Sequence, residues 1–149
     1  MSPFRRGPAS ALLALLAVAG LAYDAYVHLH LAHVYDHNGN HVTQGQLFRA
    51  EAAIAIVVAV ALLLWDNRLV WFVAGITGIG GVALVVLYRY VNVGAIGPIP
   101  NMYEPVWYGE KTRSAYAEAG VGAVWLAREA LRYLRVRASR TSTAASADG

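Results

Sequence analysis

The sequence contains no cysteine. That excludes disulfides, iron–sulfur clusters and thiolate metal sites. Charge is also scarce: 14% of residues are charged and 58% hydrophobic, against roughly 25% and 45–50% in ordinary soluble domains. The apolar residues sit in long blocks, which says more than the average does. A net charge of +3 would suggest nucleic acid if the basic residues lined a soluble face. They cluster beside the apolar blocks instead, so membrane topology accounts for them and no nucleic-acid partner is expected. At 149 residues the chain is long enough for one domain.

Several functional signatures are missing as well. There is no HExxH and no Glu-x-x-His, so neither a metalloprotease nor the usual di-iron bundle is supported. The GITGIGG run at Gly75–Gly81 has the wrong order for a dinucleotide fingerprint, and no strand precedes it. Asp36, Asn38 and Asn40 alternate like the start of a calcium loop, but the required glycine is absent and Leu47 stands where the bidentate glutamate belongs. No span is broken midway and no repeat is evident, which disfavours a transporter. Nothing makes Ser114 an activated nucleophile, so no catalytic residue is assigned.

What is present is a set of four apolar runs, at about 9–35, 47–65, 69–93 and 112–134, each near the length that crosses a bilayer. The expected fold is therefore an all-α, integral membrane four-helix bundle over residues 1–137, followed by a disordered tail at 138–149 that lacks apolar residues. The first run has a rival reading as a signal peptide. Arg5-Arg6 fits a charged leader and Ala17-Val18-Ala19 a cleavage site. The apolar pattern continues through Leu21, Val27, Leu29, Leu31 and Val34, so an uncleaved span is expected.

Local signals mark the boundaries. Thr43 and Gln46 form a capping box for the second helix, and Asn67 caps the third. Asp66-Asn67-Arg68 is so short a turn that spans two and three should be antiparallel neighbours. The glycines of the third span, and Ala115, Ala119, Gly122 and Ala123 of the fourth, should let helices approach closely. The loop 94–111 holds three of the five prolines with Tyr103, Trp107 and Tyr108. It is expected to lie on the bundle as an ordered cap, its aromatics at the membrane interface.

Arginines set the orientation. Arg5, Arg6, Arg68, Arg128, Arg132, Arg135, Arg137 and Arg140 fall on one side, against Arg49, Arg89, Lys111 and Arg113 on the other. The positive-inside rule then puts both termini in the cytoplasm of a multi-pass cell-membrane protein and turns both long loops outward.

All five histidines lie between His28 and His41, near that outer face. Counting about 1.5 Å per residue brings Asp24 and His28, Glu51, Arg89 and Glu118 to a similar depth on four different helices. Charges in lipid cost about 2.5–3.5 kcal/mol each, so these groups should turn inward and pair. Asp24 and His28, spaced i,i+4, share a face, while His30, His33 and His37 form a stripe on a nearly opposite one. The first expectation is a transition-metal site (copper, zinc or iron) at Asp24, His28, Glu51 and Glu118, with Arg49 and Arg89 in the surrounding network. The His30–His33–His37 stripe is the second choice. Histidine beside carboxylates equally suits proton or quinone-type redox chemistry. The alternative function is a non-catalytic subunit that docks onto a larger membrane complex or forms a homo-oligomer.

Overall fold

The computed structural model describes residues 7–147. Arg5, Arg6 and the last two residues of the expected tail lie outside the described residues. Four helices make the fold: α1 Pro8–Ala32, α2 Gln44–Leu64, α3 Arg68–Tyr90 and α4 Gly109–Ala147. Among the described residues there is no strand, only an isolated antiparallel bridge between Ile96 and Ile99. The all-α expectation holds.

The helix starts follow from their caps. The Thr43 hydroxyl accepts from the Gln46 amide at 3.1 Å, and the Gln46 side chain accepts from the Thr43 amide at 3.0 Å. This reciprocal box starts α2 at Gln44, three residues before the apolar run. The Asn67 side chain accepts from the Val70 amide at 3.0 Å and starts α3. α1 ends at Ala32, earlier than the expected 35. There the Tyr35 carbonyl takes the amides of Asn38 and Gly45, at 3.2 and 3.0 Å, and draws the chain into a turn. α4 runs past the expected 134 and on to Ala147, through residues expected to form an unstructured tail. No glycine or proline interrupts that segment.

α1, α2 and α3 are each long and apolar enough to cross a membrane. Only 33%, 28% and 22% of their most apolar windows is buried inside the protein. Leu12, Leu15, Val57, Leu69 and Phe72 all point outward. Apolar surface this continuous is foreign to a water-facing monomer.

The interior is built from small residues: Ala14, Ala17, Ala25, Ala52, Ala55, Ala59 and Ala74 pack around Leu21, Leu62 and Trp71. α1 packs extensively on α2 and on α4, and α3 on α4. α2 and α3 touch least of the four packed pairs, although they follow one another directly. Gly78 shows how closely α3 meets α4: a Cβ there would lie 2.6 Å from the Glu118 carbonyl oxygen and 2.9 Å from the Gly122 nitrogen. The buried face of α4 is Lys111, Ser114, Glu118, Val121 and Gly122. Ala119 and Ala123, expected on that face, are exposed.

Each end of the bundle is tied by polar contacts. At the 65–67 turn, Asp66 accepts from Ser10 of α1 at 2.8 Å, from the Trp71 indole of α3 at 2.9 Å and from Arg128 of α4 at 3.2 Å. The Arg128 guanidinium also lies 4.7 Å from the centre of the Trp71 ring. At the opposite end, the loop 94–108 donates from the Glu104 amide to the Tyr88 carbonyl at 3.0 Å. Its Asn101 carbonyl accepts from Asn38 of the first loop at 3.3 Å.

Candidate functional site

The site lies roughly two turns below the long-loop end, where α1 and α4 face each other. Asp24 is 2% exposed and Glu118 3% exposed. The Ser114 hydroxyl, one turn before Glu118, donates to Asp24 Oδ1 at 2.6 Å. His28 Nδ1, one turn after Asp24, lies 3.0 Å from Asp24 Oδ1 and 3.1 Å from the Asp24 carbonyl oxygen. Two i,i+4 pairs on neighbouring helices thus meet face to face. Asp24, His28 and Glu118 each offer a ligand atom, and these atoms lie within 4.8 Å of one another. Among the described residues this is the one group of three or more such side chains.

Glu118 Oε2 is buried and has no hydrogen-bond partner. An orphaned buried carboxylate oxygen costs free energy unless a proton, a metal or a ligand completes it. Its seat is made by α3: a Cβ on Gly81 would come 2.6 Å from both Cδ and Oε1 of Glu118. The imidazole of His28 is braced by the edge of the Phe48 ring, with centroids 5.1 Å apart.

Above the cluster is a cavity of about 430 Å³, reached by side chains of all four helices and of the loop 94–108. His28, Glu51, Ser114 and Glu118 supply its polar end. Glu51 faces this cavity but stands outside the three-ligand group. At the far side the Tyr35 and Tyr108 hydroxyls meet at 3.1 Å. Burial, and then the bond to Tyr35, push the Tyr108 hydroxyl well above its ordinary value, so it stays protonated. Lys111 Nζ donates to the Glu104 carbonyl at 2.6 Å on the same rim.

The other expected residues fall elsewhere. Arg89 makes no ion pair among the described residues; its guanidinium lies 4.9 Å from the Tyr90 ring centre and 6.0 Å from that of Trp107. Its Nε is buried without a partner. Arg49 turns away to Asp36, with Nη1–Oδ1 at 2.5 Å and Nη2–Oδ2 at 2.8 Å. That pair holds the Asp36 carboxyl below the usual carboxylate range. His30, His33 and His37 are exposed. His30 stacks on Tyr26 at 5.9 Å and meets the edge of His33 at 6.3 Å, and the three do not converge as ligands.

Sequence reasoning passed over Ser114 as a partner for Asp24 and Gly81 as the seat of Glu118. The i,i+4 spacing of Ser114 and Glu118, matching that of Asp24 and His28, is the signal that points to them. No family model, curated protein or solved structure matches this chain. The functional reading therefore stands on its own geometry.

Proposed function

We propose that this chain is a small multi-pass protein of the cell membrane, with four spans and cytoplasmic termini, whose Asp24–His28–Glu118 cluster binds a divalent transition metal. The observation that carries the metal is the orphaned Glu118 Oε2, buried beside two further ligand side chains. Two carboxylates and a neutral imidazole sum to a charge that a divalent ion cancels, leaving a neutral unit in an apolar interior. Oxygen and imidazole donors without sulfur suit zinc, iron or divalent copper. The residues present fit such an ion: Asp24 and Glu118 would supply carboxylate oxygens and His28 a ring nitrogen. Ser114 would hold Asp24 in place by its hydrogen bond. The bound ion would act as a Lewis acid or as a redox centre.

The four-span topology draws support from the Asp66 knot, which gathers the start of α1, the α2–α3 turn and Arg128 of α4 at one end. Arg68, Arg132, Arg135, Arg137 and Arg140 belong to that same end and favour the cytoplasm for it.

Elemental analysis of detergent-purified protein tests the reading. The expected result is a transition metal in a fixed ratio to protein, lost in His28→Ala and in Glu118→Gln, and retained in His33→Ala/His37→Ala. The 3.0 Å contact between His28 and Asp24 favours one second reading, a cluster held together by a proton in place of the metal. Metal-free protein that keeps its fold at neutral pH, and loses it in Glu118→Ala, selects that reading. Stable co-purification with another membrane protein, without metal, selects an assembly subunit instead.

A further inference from the structure

We infer that the cavity beside Glu51 and Glu118 takes a neutral, membrane-soluble molecule with a hydrogen-bond-donating aromatic head and an apolar tail, of the hydroquinone or phenol class. The molecule enters from the bilayer between α2 and α3. The inference rests on the membrane setting proposed above; a bound metal would take Glu118 Oε2 and leave Glu51 as the acceptor.

The cavity has the size and polarity of an amphipathic ligand. Its volume of about 430 Å³ lies within the roughly 300–1,000 Å³ usual for small-molecule sites. Its apolar walls are Val27, Leu31, Phe48, Ile54, Leu84 and Val85; His28, Glu51 and Glu118 form one polar end, and Gln44, Tyr108 and Lys111 line it as well. That end is rich in acceptors. Glu118 Oε2 has no partner, and the Glu51 carboxylate makes no hydrogen bond or ion pair among the described residues. Unsatisfied acceptors select a head that donates. A carboxylate or phosphate head would carry the cost of an ion, about 2.5–3.5 kcal/mol, through the hydrocarbon. An ammonium head would carry the same cost. A hydroxyl on an aromatic ring donates without that cost.

The route in is set by packing. α2 and α3 touch least of the four packed pairs. Ile54 of α2 and Leu84 of α3 both line the cavity and are half exposed, at 49% and 51%. The entry inferred here lies between them. On the loop side the cavity is lined by Ile99 and Met102 and by the Tyr35–Tyr108 pair. A molecule already dissolved in the bilayer can reach the cavity, while a water-soluble one meets the cap.

The test is equilibrium binding of radiolabelled decylhydroquinone, kept reduced, to the full-length protein in detergent. Three variants are compared, with folding checked by circular dichroism: Ala50→Trp, which fills the cavity from α2, Glu51→Gln, and Val57→Trp on the outward face of α2. The expected result is saturable binding, weakened by roughly tenfold or more in Ala50→Trp and unchanged in Val57→Trp. Decylbenzoic acid, with the same tail and a carboxylate head, should bind roughly tenfold more weakly than decylhydroquinone, and Glu51→Gln should narrow that gap. Absence of saturable binding, equal affinity for the acid, or full affinity in folded Ala50→Trp would overturn the inference. Metal content is measured on the same samples. Binding without metal supports this inference and refutes the metal site; metal without binding does the reverse.

Discussion

Gly78 and Gly81 stand one turn apart on α3 and both face Glu118, yet an added methyl group should have opposite consequences at the two. At Gly78 the new Cβ would lie 2.6 Å from the Glu118 carbonyl oxygen and 2.9 Å from both the Gly122 nitrogen and Val121 Cβ. Backbone atoms of a packed helix cannot step aside, so α3 and α4 must separate. Overpacking of this kind costs about 1–3 kcal/mol, equivalent to about a 5- to 150-fold change in the folding equilibrium. At Gly81 the atoms in the way are Cδ and Oε1 of the Glu118 side chain. A side chain can rotate, so Gly81→Ala should leave stability within about 0.5 kcal/mol while displacing the carboxylate from His28 and Asp24. The assay is unfolding of the detergent-solubilised protein by titrated denaturing detergent, with metal content measured on the same preparations. Gly78→Ala should lose stability and Gly81→Ala should lose metal. Equal stability losses in the two variants would refute the α3–α4 packing described above and the role given to Gly81.

Thr43→Ala removes the reciprocal cap of α2 and should destabilise the protein by about 1 kcal/mol, read by the same unfolding assay; Gln46→Ala should give part of that loss. The Asp36–Arg49 pair predicts a pH effect of known sign. Because Arg49 depresses the folded-state value of Asp36, its contribution is fully present above the ordinary carboxylate value and is lost as pH falls through the lowered one. Carboxyl NMR titration should show the Asp36 midpoint rising in Arg49→Met, and an unchanged midpoint would mean that the pair does not form in solution. For topology, cysteines placed at Asn40 and Asn101 should react with an impermeant thiol reagent in intact cells, while one at Ala138 should not. Labelling at Ala138 alone would invert the orientation.

The legible parts of this fold were the local ones. Thr43 with Gln46, and Asn67 with Val70, could be read because a cap depends on residues three apart. Asp24 with His28 could be read because i,i+4 fixes a shared face, and the depth of Glu118 followed from counting residues. Rotation of each helix about its axis was not legible. The runs of α1 and α2 are apolar all round, so periodicity does not single out an inner face. Ala119 and Ala123, expected inward, point outward, while Ser114, read only as a serine that nothing activates, and Gly81, read only as a packing glycine, face Asp24 and Glu118. Arg89 matched Glu51 in depth but makes its contacts with Tyr90 and Trp107. The role of Asp66 was hidden for another reason: its partners Ser10 and Arg128 lie 56 and 62 residues away in the chain.

X-ray absorption at the edge of the proposed metal, on protein purified in detergent, tests the central claim most directly. The account predicts a first shell of oxygen and nitrogen only, at about 2.0–2.2 Å if the metal is zinc, with the outer-shell scattering of one imidazole. That imidazole signal should disappear in His28→Ala and persist in His33→Ala/His37→Ala. Protein that carries no transition metal, or a shell whose imidazole signal survives the loss of His28, would contradict it.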